Sequence, residues 1–114
     1  MLSGEVRELM IARVWHGWTT HENADTYENL LKEEIFPAIA TKNVAGYREI
    51  QLLRAPADAE VEFITIMWFD SWDAVREFAG EDHECAYVPA KAQEVLARFD
   101  KRSAHYEVKA RLVY

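Results

Sequence analysis

The segment Phe63-Ile-Thr-Ile-Met-Trp-Phe69 constrains the fold more than any other part of this chain. Its length and its β-branched and aromatic content are those of a strand. It is apolar on both faces: alternation sends Phe63, Met67 and Phe69 one way and Ile64, Ile66 and Trp68 the other. Such a strand needs cover on both sides of its sheet. A chain of 114 residues supplies one layer of helices but hardly two. The second cover is therefore expected from another copy of the chain.

The flanking sequence supplies the rest of a sheet. Leu9 to Trp18 alternates, with Met10, Ala12, Val14, His16 and Trp18 on one face and Ile11, Arg13, Trp15 and Gly17 on the other. Thr20 and Asn23 open a helix, with Tyr27, Leu31, Ile35 and Ala38 at helical spacing. Pro37 removes a backbone donor within that pattern and predicts a kink near Phe36. Tyr47 to Arg54 reads as a second strand, 55–59 as a turn and Glu60 to Asp70 as the third strand. Asp70-Ser71-Trp72-Asp73 starts a short helix that Gly80 ends. A further helix runs from Pro89 to about Phe99, and Ala104 to Val113 alternates as the last strand.

The order β-α-β-β-α-(α)-β makes two split β-α-β units with right-handed crossovers. The expected fold is α+β and ferredoxin-like, βαββαβ, as one domain over residues 1–114. A four-stranded antiparallel sheet in the order 4-1-3-2 carries helices on one face. The other face is apolar along strands 1 and 3. A bare face of that size is unusual on a monomer, so a homodimer through the open sheet face, a dimeric α/β barrel, is expected.

Thirteen Lys+Arg against 20 Asp+Glu give a net charge of −7. That disfavours nucleic acid and anionic membranes, which demand clustered positive charge. Four Trp, five Tyr and five Phe suit a small aromatic partner. Cys85 is the only cysteine, so no intrachain disulfide or Cys-based metal cluster forms. The first eight residues are polar and expected to be loosely held, no window approaches 18 apolar residues, and a cytoplasmic location is the simplest reading. Phosphate cradles, dinucleotide fingerprints and serine elbows are missing from the sequence.

Two constellations carry the candidate chemistry. The inferred topology brings His16, His21, His83 and His105 toward one end of the sheet. Acid/base work or ligand contact is one use for them, metal binding another. Solvated or capping roles are the plainest reading. No paired His/Glu metal spacing is present, so no metal is expected. Trp15, His16, Trp18, Trp68 and Trp72 are the second constellation, able to line a pocket for a planar substrate or simply to fill core and interface. Arg13, on an otherwise apolar strand, is expected either to pair with an acid or to hold an anionic or carbonyl group.

The runs Arg13-Val-Trp-His-Gly-Trp-Thr19, Glu33-Glu-Ile-Phe-Pro37, Gly46-Tyr47, Phe63 to Asp82 and His105-Tyr106 resemble the antibiotic biosynthesis monooxygenase family of the dimeric α/β-barrel superfamily. The likeness spans about residues 9–112. It implies a cofactor-independent monooxygenase that oxidises a phenolic substrate with molecular oxygen, the deprotonated substrate supplying the electrons. On that resemblance His16 or His105 is the base, while Arg13, Trp15, Trp18, Trp68 and His83 shape the substrate site. Haem-degrading relatives use an Asn, a Trp and a His ligand. Here the first strand has no Asn and His83 matches the ligand position poorly, so haem degradation ranks low. Two other readings stand beside the oxygenase: a non-catalytic small-ligand-binding or stress-response dimer, and an isomerase or lyase using the same histidines.

Overall fold

The computed structural model describes residues 10–114. The polar start and the place of Leu9 in the first strand lie outside the described residues. Strand β1 (Ile11–Thr19) is followed by helices α1 (Ala24–Leu30) and α2 (Phe36–Thr41), joined by a π-turn (Leu31–Ile35). Then come β2 (Tyr47–Pro56), β3 (Val61–Phe69), α3 (Trp72–Ala79), α4 (Ala90–Val95), β4 (Arg98–Phe99) and β5 (Ala104–Glu107). The sheet order is β2-β3-β1-β4, with β5 also on β1, and all pairings are antiparallel. This is the ferredoxin-like α+β arrangement and the strand order expected.

The expected kink at Pro37 takes the form of the π-turn. Pro37 has no N–H to give, and the turn before it widens so that Phe36 N–H donates to the Leu31 carbonyl. Ser71 caps α3 by accepting from Ala74 N at 3.1 Å, and Gly80 ends it at φ 88°.

Two boundaries differ from the sequence reading. The helix after Pro89 stops at Val95, because Leu96 is already extended and Phe99 joins β4 opposite Gly17. Among the described residues the last strand spans Ala104–Glu107, and the Val108 N–H continues its register to the Met10 carbonyl at 2.9 Å. Both follow from one fact. β4 takes the places opposite Gly17 and Trp18, so β5 is left the places opposite Ile11 to Val14.

The two faces of β3 separate as the alternation requires. Phe63, Met67 and Phe69 are buried with Ile11, Trp15, Tyr27, Leu31, Ile35, Ile39, Val75 and Phe78 in the core between sheet and helices. Tyr27 meets Phe63 edge-on at 4.9 Å, a geometry aromatic pairs favour. Ile64, Ile66 and Trp68 face the other way and are only partly buried. Among the described residues no helix is long and apolar enough to cross a membrane.

Candidate functional site

The sheet divides the candidate residues into two groups. In antiparallel pairing, residues directly opposite share a face. Arg13 is opposite Met67 and His105, and so lies on the helix-covered face with Trp15. His16 is opposite Ile64, Trp18 opposite Glu62, and Trp68 opposite Ala12, all on the open face.

A cavity of about 50 Å³ lies between sheet and helices. Arg13, Trp15 and Met67 form part of its floor, Tyr27, Leu31, Ile35 and Ile39 its helical wall, and Phe78, Tyr87 and Ser103 one flank. Arg13 is only 3% exposed. Its Nη2 donates to the Cys85 carbonyl at 2.9 Å and its Nη1 to the His83 carbonyl. Nη1 also lies 3.0 Å from His105 Nε2. The guanidinium packs 5.5 Å from the Phe78 ring. No carboxylate among the described residues pairs with Arg13, so of the two expected roles the acidic pairing is not met, and two carbonyls and an imidazole hold the side chain instead. Burial lowers the Arg13 pKa, with Cys85 opposing, though a guanidinium stays protonated.

The Arg13 contact also settles the state of His105. A guanidinium only donates, so Nε2 must accept and the ring proton must sit on Nδ1. Burial first, then Arg13 and His83, lowers the His105 pKa to about 4, while Glu84 pulls the other way. His105 is thus neutral near pH 7. It packs against His83 at 5.2 Å and Trp72 at 5.8 Å, and Trp72 lies 5.8 Å from His83.

Trp15 is held in place by its neighbours. Its Nε1 donates to the Asp100 carbonyl at 2.7 Å. Its six-membered ring lies over Gly17, where a Cβ would come 2.5 Å from Cη2. Gly17 is therefore part of the cavity architecture, which its position two residues along the same face would have signalled. Tyr27 lies on the helical stripe read from sequence but carries no mark there of a site residue, and buried Ser103 carries no sequence signal at all. A hydroxyl on an apolar wall leaves no periodic mark.

The four histidines do not converge. His83 and His105 meet beside Arg13 and Trp72. His16 is across the sheet, its Nδ1 2.8 Å from Glu62 Oε2 and its ring stacked on Trp18 at 6.0 Å. His21 is exposed and donates from Nε2 to the carbonyls of Ala57 at 2.9 Å and Asp58 at 3.2 Å. The expectation of one histidine end fails because β4 displaces β5 along the edge of β1, carrying His105 down to Arg13. The tryptophans separate too. Trp18 lies under the Arg98 guanidinium at 3.8 Å, and Trp68 Nε1 donates to Gln51 Oε1 at 2.8 Å. Among the described residues no three His, Cys, Asp or Glu side chains group as a metal ion would need.

The same fold occurs in solved proteins. A Bacillus cereus protein carrying the provisional name antibiotic biosynthesis monooxygenase superposes with a TM-score of 0.60 at 13% identity, over 94% of this chain and 99% of that one. Rv0793 of Mycobacterium tuberculosis gives 0.53 at 24% identity, over 92% and 97%. The cofactor-independent oxygenase SnoaB of Streptomyces nogalater gives 0.51 at 20% identity, over 91% and 95%. No family model matches the chain, and no curated protein matches it in sequence. The Bacillus cereus protein carries the name of the family that the sequence motifs resemble.

Proposed function

We propose that this chain is a cofactor-independent monooxygenase that oxidises a small aromatic or phenolic substrate with molecular oxygen in the cavity above Arg13. One observation carries the reading: an apolar, aromatic-walled cavity whose floor holds a buried cation with no carboxylate beside it. Such a cation favours the ionised form of a phenol, and exclusion of water strengthens that effect. The fold shared with an oxygenase named as cofactor-independent is consistent with it.

The reaction balances without a further reductant. An activated CH2 beside the phenolate loses a proton, the carbanion adds to oxygen and a hydroperoxide forms. Loss of the second C–H proton with departure of hydroxide leaves a carbonyl. The sum is CH2 + O2 giving C=O + H2O, the substrate losing four electrons. Arg13 stabilises the oxyanion and Trp15 and Phe78 flank the ring. His105, in contact with Arg13, serves the site in preference to His16, which lies across the sheet.

The open face completes the proposal. Val14, Ile64, Ile66 and Trp68 are partly exposed there, with Leu53 44% exposed. A second copy covers them, making a homodimer of single domains.

Oxygen uptake with single-ring phenols bearing a carbonyl-activated CH2, such as 4-hydroxyphenylacetone, tests the activity at the size the cavity admits. The expected result is turnover that falls at least tenfold in Arg13→Met and is unchanged in His16→Gln. No uptake with any of these substrates would overturn the reading and favour a non-catalytic binding protein. The size of the cavity is the observation on that side, since ligand sites usually span ~300–1,000 Å³.

A further inference from the structure

We infer that Arg13 is an anion receptor, oriented by neutral His105, and that the cavity takes a single-ring organic anion whose oxyanion docks on the guanidinium. The inference builds on the oxygenase reading in using the same cavity, but it concerns binding alone.

The donor count comes first. A guanidinium carries five N–H groups. Bonds to the His83 carbonyl, the Cys85 carbonyl and His105 Nε2 engage three of them. Two remain on a side chain that is 3% exposed and lines the cavity. Buried polar groups are normally satisfied, and a buried charge without an opposite partner is costly. An oxyanion supplies both the missing acceptor and the missing charge, and guanidinium geometry suits a carboxylate in two-point contact.

The neighbours preserve that positive charge. Carbonyls and a neutral imidazole hold Arg13 by their dipoles and cancel none of it. The groups facing His105 are Arg13, His83 and Glu84, and the first two disfavour a second cation there. His105 is therefore a positioning residue: its Nε2 lone pair fixes the Nη1 corner of the fork, and the Nε N–H and one Nη2 N–H have no protein partner among the described residues.

Size sets the class. With ~10–15 Å³ sufficient for each water, about 50 Å³ holds about four. That is close to one aromatic ring and well short of three fused ones. The rest of the lining is largely apolar, including Leu31, Ile35, Ile39, Met67 and Phe78. The ligand is thus one ring with one oxyanion.

Calorimetric titration with benzoate and its neutral isostere benzamide at pH 7 tests this. Benzoate should bind at least tenfold tighter than benzamide to the native protein. Because the net charge is −7, nonspecific attraction would not produce that order. Arg13→Met should abolish the preference, His105→Leu should weaken benzoate about tenfold, and His105→Gln, which keeps an acceptor near Nε2, should restore it to within about threefold. Nitrogen NMR of labelled imidazoles should show His105 protonated at Nδ1 and bare at Nε2. Equal binding of the two probes, binding of neither, or a protonated Nε2 would overturn the inference, and the native protein suffices for all three even if a variant fails to fold. Benzoate has no oxidisable CH2. A benzoate preference without oxygen uptake on any phenol would sink the oxygenase reading alone, and turnover without that preference would sink this inference alone.

Discussion

On the helix-covered face of the sheet, Arg13 sits among Trp15, Met67 and Phe78 and is held by carbonyls and a neutral ring. On the open face, His16 contacts Glu62 and Arg98 contacts Glu60. Where water remains near, a carboxylate stands beside the Arg98 guanidinium and beside the His16 ring, at little gain or loss. Where water is excluded, this chain keeps the cation and withholds the carboxylate, although a carboxylate would be the ordinary partner for a buried charge. The first face is arranged to hold a charge available for something else. The second is arranged to be electrically quiet, which suits burial against another surface.

The largest test of this contrast is truncation on each face of β3. Phe63→Ala, within the core and against Tyr27, should cost about 3–5 kcal/mol in urea unfolding at any protein concentration. Trp68→Ala, on the other face, should cost under about 1 kcal/mol at high dilution, and more as protein concentration rises if a second copy covers it. A Trp68→Ala cost as large as that of Phe63→Ala and independent of concentration would break the distinction.

Next in size is Gly17→Val. The added side chain meets the Trp15 ring at once, and overpacking of this kind costs about 1–3 kcal/mol. Its signature is a shift in Trp15 fluorescence or indole NMR with loss of benzoate binding. An unchanged indole signal would show that the cavity does not depend on that ring.

The pH test follows. His105 has its folded pKa lowered to about 4 against an ordinary value near 6.5. Between these limits the unfolded chain binds more protons than the folded one, so stability rises with pH. The contribution is complete above about pH 6.5 and is lost as pH falls toward 4. Discounted for partial exposure of the ring, it amounts to roughly 1–2 kcal/mol. Urea midpoints measured across that window should flatten in His105→Gln, and an unchanged slope would count against the buried placement.

The smallest expected effect is on the open face. Glu62→Gln removes the contact with His16 and should change stability by no more than about 1 kcal/mol, less in high salt. A larger, salt-insensitive loss would mean that this pair is dry, hence covered.

The strand order and the two faces of β3 were legible because alternation and chain connectivity act through every residue of an element. The caps at Ser71 and Gly80 were legible for the same local reason. The site was legible only in part. Arg13 stood out as a charge on an apolar strand, and its address on the covered face followed from alternation. The meeting of Arg13 with His105 did not, because it depends on where β5 sits along β1. That register was set by Arg98 and Phe99, two residues too short a run to announce a strand. Alternation already set His16 and Trp18 on the face opposite Arg13; grouping them with it in one site followed the motif resemblance rather than the strand.

The π-turn before Pro37 governs more than a missing hydrogen bond. Tyr27, Leu31, Ile35 and Ile39 follow one another four residues apart, and all four line the cavity. In an unbroken α-helix each such step overruns a full rotation by about 40°, so the stripe would wander by about 120° from Tyr27 to Ile39. The wider π-turn winds each residue through a smaller angle and brings the stripe back into phase. The wall of the cavity thus owes its straightness to the turn that absorbs one surplus residue. Deleting Glu33 would let the turn close as regular α-helix: the eleven remaining steps of about 100° bring Ile39 to within about 20° of Tyr27, so the bulge would vanish while the wall kept its line.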